Sequence, residues 1–395
     1  MKVLHVIPSV STRSGGPAEA IIPMCRALEE IGIEVLLATT TSGLDVEVAE
    51  SPVEHRGVPT VFFPSQLGES FKFSRPMSVW LNENVGRFDI VHIHAVFNHA
   101  CVSAATACRK LGVPYIIRPL GSLDPWSMKQ KRFRKQVFWR VTGRAMMQAA
   151  AAVHYTTRAE QEAVESSLGL NNGRVIPLGI DAGTNDLLLN GDDLFREFPM
   201  LSSQPYVLVL SRLHPKKAID VLIDAFLTAV EDSRYTDWRL AIAGEGPTDY
   251  VNLLRQKVMA QKAQERIVFT GWLEGSRKQQ ILKRSSLLAL TSFQENFGVC
   301  VMEALNWSVP VVVSPHVNLA NEIKRAGAGW VVEVEREAIA KTLRDAFSSH
   351  EGRLLKGRAG KQLSQRYSWT EIAHQLVSMY SAISPAEHRF LEVVA

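Results

Sequence analysis

Short apolar runs alternate with segments of helical periodicity along most of this chain, and the alternation is interrupted once before it resumes. Continuous apolar runs such as residues 206–210 are typical of strands buried on both faces of a parallel sheet. Segments such as residues 18–31 place apolar side chains on one helical face and end at a glycine, Gly32. The pattern predicts an α/β protein with helices on both faces of each sheet.

Two successive sheets are predicted from these runs. The first has strands at residues 3–7, 35–38, 89–94, 114–117, 151–155 and 175–177, and the second at 206–210, 240–243, 267–269, 287–290 and 311–313. A capping box, Ser368-Trp369-Thr370-Glu371, predicts a helix in the tail. We therefore predict an N-terminal domain, a linker rich in turn-forming residues, a second domain and a terminal helix, at residues 1–185, 186–204, 205–366 and 367–395.

Composition narrows the class of protein. The 395 residues suffice for two domains, and 46% hydrophobic with 21% charged residues is typical of a globular chain and excludes a disordered one. No apolar run reaches the ~18 residues that span a bilayer, and residues 3–7 are too short for a signal peptide. Four cysteines without a CxxC pair favour free thiols in a reducing cytosol. A net charge of +4 argues against nucleic acid as a partner.

Three loops that follow strands of the second domain carry the residues suited to chemistry. After 206–210, Arg212 offers a planar fork and Lys217 a mobile charge for phosphate oxygens, although a solvated loop would look similar. Gly244 and Gly246 allow close backbone approach, but no GxGxxG motif follows, which disfavours a Rossmann oxidoreductase.

The third loop, residues 292–298, precedes a predicted helix at 299–305. The first N–H groups of a helix can bind an anion. Glu295 and Glu303 would repel phosphate, so sugar hydroxyls are their expected partners. Cations for a diphosphate beside carboxylates for hydroxyls indicate a nucleotide sugar as ligand.

In this order and spacing, the loops resemble the retaining GT-B glycosyltransferases of the family 4 type, also called group 1, over nearly the whole chain. Glu295 and Glu303 are similar to that family's E-x7-E motif, and residues 177–181 to its P-N-G-I-D element. The resemblance implies a GT-B fold, in which two doubly wound Rossmann-like domains face each other across a cleft. It also implies that the N-terminal domain binds the acceptor, the C-terminal domain binds the donor, and the C-terminal helix crosses back to the N-terminal domain.

Residue roles follow from the same resemblance. Arg212, Lys217 and Glu295 would be the catalytic residues, and the two cations would neutralise the leaving diphosphate without a metal or another cofactor. Glu303 would hold the donor ribose. The remaining donor-binding residues would be Gly15, Gly16, Gly244, Leu273, Asn296, Phe297, Gly298 and Val299. Two departures stand where the family has glycine, namely Ala218 and Ser308.

On the acceptor side the chain departs further from the family pattern, since Leu120 stands where many relatives have a histidine. The candidate acceptor contacts are His94, Arg118, Gly121 and Asp124. His92 and His94 would share one face of a strand, but we predict no metal site there and expect His92 in the core.

Residues 125–159 contain no acidic residue, and basic side chains alternate with aromatic ones there. Such a segment suits an anionic membrane surface, and a solvated basic helix with inward-facing aromatics is the alternative. The candidate membrane contacts are Lys129, Lys131, Arg132, Arg134 and Lys135.

The sequence therefore predicts a cytoplasmic enzyme, peripheral on the inner face of the cell membrane. It would move a hexose from a UDP-, GDP- or ADP-hexose to a lipid-linked saccharide, in the synthesis of a cell-surface polysaccharide, lipopolysaccharide or glycolipid. Two alternatives remain: a synthase of the sucrose or trehalose type with a soluble acceptor, and a non-catalytic nucleotide-sugar-binding protein.

Overall fold

The computed structural model describes residues 1–11, 16–48, 51–66, 71–181 and 193–384. Contacts divide the chain into two compact units. The first holds the residues up to Gly179 together with those from Trp369 onward, and the second holds Ile180–Ser368. The linker predicted at 186–204 begins inside the range 182–192, which lies outside the described residues, so the predicted boundaries stay a prediction.

The strands are β1 Lys2–Val6, β2 Glu34–Thr40, β3 Val53–His55, β4 Val58–Phe63, β5 Ile90–His94, β6 Tyr115–Arg118, β7 Ala152–Tyr155, β8 Gly173–Val175, β9 Tyr206–Leu210, β10 Arg239–Ala243, β11 Ile267–Gly271, β12 Leu287–Leu290, β13 Val311–Val313 and β14 Gly329–Val331. Every strand predicted from the sequence is present within two residues of its predicted bounds. Strands β3, β4 and β14 were not predicted.

The helices are α1 Gly16–Glu30, α2 Arg75–Asn84, α3 His99–Leu111, α4 Pro125–Lys129, α5 Arg132–Phe138, α6 Arg144–Gln148, α7 Arg158–Leu168, α8 Asp193–Glu197, α9 Met200–Ser203, α10 Ile219–Ala229, α11 Thr248–Ala260, α12 Gly275–Arg284, α13 Val299–Asn306, α14 Ala320–Ala326, α15 Arg336–Ser348, α16 His350–Gln365 and α17 Trp369–Ile383. Local chemistry sets their ends. Asn98 caps α3 by accepting from the Cys101 N–H, and Gly112 ends the same helix with φ +70°.

The sheet of the first unit runs in the order β3-β4-β2-β1-β5-β6-β7-β8, and only the β3–β4 hairpin is antiparallel. One face of this sheet is apolar. Leu4, Val91 and Ile117 belong to a buried core on that face, which α2, α3, α6 and α7 cover. This is the burial that the alternation of apolar runs predicts.

The opposite face of the same sheet is polar where strands β1, β5, β6 and β7 cross it. Its polar side chains, all fully buried, are His5, His92, His94, Arg118 and His154. We call these five residues the polar sheet face. Helices α1 and α17 pack against each other on this side, and the Tyr380 hydroxyl of α17 lies 2.8 Å from His92 Nδ1.

The second unit has a parallel sheet in the order β11-β10-β9-β12-β13-β14. This is the strand order of a Rossmann fold, with its reversal between β9 and β12. Helices α10, α11 and α15 bury one face of the sheet. No helix among the described residues of either unit has both the length and the apolar character that crossing a membrane requires.

Candidate active site

Two loops of the second unit lie at the reversal of its strand order. Residues 211–217 follow β9, and residues 291–298 follow the neighbouring strand β12. A main-chain hydrogen bond of 2.8 Å from the Phe293 N–H to the Lys216 carbonyl joins the loops. Ligands of doubly wound sheets bind at such a reversal, so the predicted loops lie where a ligand would bind.

The loop at 211–217 concentrates positive charge. Arg212 is exposed, and Pro215–Lys217 form a 3-10 turn. His214 Nδ1 accepts a hydrogen bond of 3.2 Å from the Lys216 N–H. Partial burial, reinforced by Lys216, Arg212 and Lys217, lowers the pKa of His214 below its usual value. The histidine is therefore neutral near pH 7, and the cations alone set the charge of the loop.

Lys217 forms an ion pair with Glu295 of the other loop. Both side chains are mostly buried, with 10% and 17% of their surface exposed. Burial opposes ionisation of Glu295, but Lys217 and Lys216 outweigh it and lower the pKa of that carboxyl. Two predicted catalytic residues are thus in contact, each as the other's counter-ion.

The backbone around Glu295 is held on both sides. Its N–H donates to the His316 carbonyl at 3.0 Å, and its carbonyl accepts from the Asn318 N–H at 3.1 Å. The side-chain amide of Asn318, through Nδ2, also donates to Asn296 Oδ1 at 3.3 Å. The Asn296 N–H itself donates to Glu295 Oε1 at 3.2 Å. A loop fixed in this way presents Glu295 in a defined position.

Gly298 places the start of α13 beside Glu295. Its φ of +75° is a conformation that favours glycine, and an added Cβ would lie 3.2 Å from the Leu290 side chain. Phe297 is buried, and Val299 begins the helix. Because the first N–H groups of a helix have no acceptor within it, α13 offers its N-terminus to an anion.

Glu303 lies one turn further along α13 and is also paired. Its Oε1 accepts from Lys278 Nζ of α12 at 2.8 Å, and both side chains are less than a fifth exposed. A bond of 2.7 Å from Trp307 Nε1 to Gln279 Oε1 joins the same two helices. Lys278 was not predictable from the sequence, because nothing in the local sequence of α12 connects it with a carboxylate 25 residues away.

Gly244 and Gly246 pack directly against the loop that carries Arg212. A Cβ on either glycine would lie 1.9 Å from a carbonyl oxygen, that of Ser211 or of Leu213. The Leu213 N–H donates to the Glu245 carbonyl at 2.7 Å, so the two loops are bonded backbone to backbone. Gly244 therefore allows this close approach, and its predicted contact with the donor stays a prediction. Leu273 is buried in the loop that follows β11.

The residues predicted for the first unit are distributed differently. Gly15 lies outside the described residues, and Gly16 begins α1. His94 and Arg118 belong to the polar sheet face. The Gly121 N–H donates to Glu160 Oε1 at 2.7 Å.

Asp124, only 6% exposed, is the residue before α4. Leu120, at the position of the histidine expected from the family, has φ +58°. The departures Ala218 and Ser308 likewise have φ +51° and +59°, so each retains the conformation for which glycine is usual.

The polar sheet face offers a group of histidines, His5, His92 and His94, whose ring nitrogens could be considered as metal ligands. Their hydrogen bonds fit a metal poorly. His92 Nδ1 lies 2.8 Å from the Tyr380 hydroxyl, and its Nε2 lies 3.2 Å from His154 Nδ1. Both nitrogens of His92 are thus engaged, and the neighbouring guanidinium of Arg118 would repel a cation.

Before it enters β7, the acid-free segment forms α4, α5, a π-helical turn at Trp139–Gly143 and α6. Its aromatic side chains divide between two environments. Phe138 and Trp139 pack against the core, whereas Phe133 is 79% exposed. Exposed cations flank Phe133 in the sequence: Lys129, Lys131, Arg132, Arg134, Arg140 and Arg144. Lys135 differs from the other four candidates, since its ammonium turns inward onto the Ser127 carbonyl at 2.8 Å.

Two family models match the chain. The one described as "Glycosyl transferase 4-like domain" matches residues 15–179, and the one described as "Glycosyl transferases group 1" matches residues 204–349. The chain is 30% identical over 181 residues to a mannosylfructose-phosphate synthase of Agrobacterium fabrum, which covers 44% of the chain and 39% of that protein. It spans 53% of an uncharacterized glycosyltransferase of Methanocaldococcus jannaschii, about half that relative's length. A phosphatidyl-myo-inositol mannosyltransferase of Propionibacterium freudenreichii is 24% identical over 96% of the chain and 95% of its own length.

Solved structures share the fold. Anabaena HepE, crystallised with UDP and glucose, superposes with a TM-score of 0.76 at 20% identity, over 97% of this chain and 100% of that one. WaaG, a glycosyltransferase involved in lipopolysaccharide biosynthesis, superposes with a TM-score of 0.70 at 13% identity, over 97% and 100%. These likenesses, together with the two parallel sheets, confirm the predicted GT-B fold.

Proposed function

The chain belongs to the group 1 glycosyltransferases of the family 4 type, and from this premise we propose that it transfers a hexose from a nucleotide sugar to a saccharide acceptor. The observation that carries the proposal is the meeting of Lys217 and Glu295 at the strand reversal, with Glu303 one helical turn beyond. A cation for phosphate and two carboxylates for hydroxyls are the groups that a nucleotide sugar needs.

In the proposed donor complex, Arg212 and Lys217 neutralise the diphosphate, and the N-terminus of α13 adds partial positive charge. Glu295 then exchanges its bond to Lys217 for hydroxyls of the transferred sugar. Glu303, whose position Lys278 fixes, accepts from the ribose hydroxyls. The HepE complexes with UDP and with UDP-glucose support a uridine nucleotide as the first donor to test.

We propose a reaction that retains the anomeric configuration and uses no metal. The bond from the anomeric carbon to the diphosphate oxygen breaks as the acceptor oxygen forms the new bond on the same face. The departing diphosphate oxygen takes the acceptor proton. Negative charge grows on the diphosphate during this step, so the two cations stabilise the transition state more than the bound donor. Chelation of divalent metal should leave the rate unchanged.

Replacing Glu303 by glutamine is expected to weaken donor binding about 10- to 100-fold, because hydrogen bonds to a charged acceptor are each worth about 1.5–3 kcal/mol. Calorimetric titration with UDP-, GDP- and ADP-hexoses measures the affinity and identifies the base. A donor analogue whose ribose lacks its hydroxyls is the control, and should bind both proteins equally. An unchanged affinity for the natural donor would refute the assignment of Glu303. Release of nucleoside diphosphate from the donor would exclude the non-catalytic alternative.

We also propose that the surface formed by α4, α5 and α6 binds an anionic membrane, which suits a lipid-linked acceptor. Phe133 is exposed among cations, and Val141, 76% exposed, lies on the same segment. Exposed apolar side chains within a basic surface match the interface of anionic lipids, where the apolar groups insert and the cations meet headgroups.

Replacing both Arg132 and Arg134 by glutamine is expected to weaken binding to phosphatidylglycerol vesicles about 30-fold, at about 1 kcal/mol per charge. Co-sedimentation measures the partition, and phosphatidylcholine vesicles should bind neither protein. The matched control replaces Lys324 and Arg325, exposed cations of α14 in the second unit, and should bind like the wild type. If the wild-type protein does not bind anionic vesicles, the soluble-acceptor alternative is favoured instead.

A further inference from the structure

Arg118 is a fully buried cation at the end of β6, beside His94 at the end of β5. Its guanidinium has little to bond. Nη1 lies 3.6 Å from the Met24 sulfur, and neither Nε nor Nη2 has a hydrogen-bond partner. No carboxylate among the described residues forms an ion pair with it. Burying an unpaired charge is strongly unfavourable, so the guanidinium of Arg118 requires an anionic partner.

Glu160 is not that anionic partner. It acts on Arg118 only through space, because its carboxylate is already engaged. Its Oε1 accepts from the Gly121 N–H at 2.7 Å, and its Oε2 accepts from the Thr156 N–H at 2.8 Å. These bonds anchor the loop after β6 and leave the guanidinium uncompensated.

The two unpartnered nitrogens of Arg118 lie on one edge of the guanidinium. That edge presents parallel N–H groups, the arrangement that takes two oxygens of a carboxylate or a phosphate. His94 Nδ1 and His5 Nε2 are also buried without a partner. His5 Nδ1 and His94 Nε2 share a hydrogen bond of 2.9 Å, so one of the two outer nitrogens is a donor and the other an acceptor.

The position of this edge also suits a ligand. Strand β6 lies next to β5, which adjoins the reversal of strand order between β1 and β5. Arg118 and His94 are the last residues of their strands, at the carboxyl end where such sheets bind ligands. The residues that follow shortly after, Ala95 and Leu120, are partly exposed, so solvent reaches this end of the two strands.

We propose that the Nε–Nη2 edge of Arg118 binds an oxyanion, a carboxylate or a phosphate, carried by the acceptor. The identity of the carrier rests on the proposed function, whereas binding of the oxyanion does not. In the low-dielectric surroundings of the polar sheet face, a bidentate ion pair selects strongly for a charged acceptor over a neutral one. The acceptor class is therefore a phosphorylated or an acidic saccharide.

The test measures thermal unfolding of the full chain in saturating UDP, or whichever nucleoside diphosphate the donor titrations select, so that the donor cations are occupied. Inorganic phosphate and glucuronate are the probes, and glucose is the uncharged control. At least one oxyanion should raise the unfolding temperature of the wild type. A response to phosphate alone indicates a phosphorylated acceptor, and a response to glucuronate alone indicates an acidic one.

Variants assign the response to Arg118. Arg118→Met should abolish it, and without probe should unfold no earlier than the wild type, because an uncompensated buried charge has been removed. Arg118→Lys keeps the charge and loses the planar guanidinium, and it should bind the oxyanion at least tenfold more weakly. This variant tests the proposal if the methionine variant fails to fold. Lys217→Met should retain the response.

Three outcomes would overturn the proposal: no oxyanion stabilises the wild type, Arg118→Met responds as the wild type does, or Lys217→Met loses the response. None of these measurements depends on transfer. Failure of the donor assignment at Glu303 would therefore leave the Arg118 result intact, and the converse also holds.

Discussion

Replacing Lys217 by methionine is expected to lower the transfer rate at saturating donor about 10²- to 10³-fold, because one of the two charges that we propose stabilise the leaving diphosphate is lost. The substitution also removes the counter-ion of Glu295, whose side chain is only 17% exposed. Removing one partner of a buried pair costs about 3 kcal/mol of folding free energy. Rate and stability should therefore fall together in this variant.

A second substitution separates the two effects. In the double variant Lys217→Met, Glu295→Gln the unpaired carboxylate is gone, so denaturant unfolding should recover most of the lost stability while the rate stays low. Lys216→Met is the matched control. It lies one residue away, contacts Gln294 at 3.5 Å, and should change the rate less than about tenfold. A Lys217→Met enzyme that keeps more than a tenth of its rate would contradict the catalytic role.

Replacing Gly244 by alanine is expected to destabilise the second unit by about 3 kcal/mol and to weaken donor binding as well. The new Cβ would lie 1.9 Å from the Ser211 carbonyl oxygen, in backbone that cannot move without displacing Arg212, and the φ of +145° is itself unfavourable for alanine. Denaturant unfolding and donor titration measure the two effects.

Gly327→Ala is the control for the cost of placing alanine at a positive φ without any steric clash. Gly327 has φ +66° at the end of α14, and no atom lies within 4 Å of its added Cβ. We expect a loss of about 1 kcal/mol and an unchanged donor affinity. Equal losses for the two variants would show that the close approach of the loops at Gly244 contributes little.

Much of the architecture was predictable because its signals are local. Core strands such as β9 and β12 are continuous apolar runs bounded by turn residues, so they could be located within the chain without knowing their neighbours. The hairpin strand β3 is three residues long and largely exposed, and it carries no such signal. The pair Glu295 and Glu303 was also predictable, since both residues lie on one loop and the helix that continues it.

The partners of those residues were harder to predict, because contacts between distant segments depend on strand register and helix packing. Lys278 meets Glu303 only because α12 and α13 pack side by side. The polar sheet face is a stronger case. His5, His92 and His154 come from three separate strands, and each alone is typical of a packed core histidine. Only the register of the sheet, together with Tyr380 of α17, brings them into one group.

The return of α17 to the first unit has a consequence for protein synthesis. The residues up to Gly179 leave the ribosome first, but Trp369 and the helix it begins follow 190 residues later, at 369 − 179. At roughly 5–20 residues per second, that interval lasts roughly 10–40 s. During this time the apolar face of β1 and β5 can already pack against its own core. The polar sheet face, by contrast, still lacks the helix that carries Tyr380. The first half of the chain to be made is thus the last to be completed, and a nascent chain stalled in the second unit would present to the cell's chaperones a polar sheet face that has α1 but not α17.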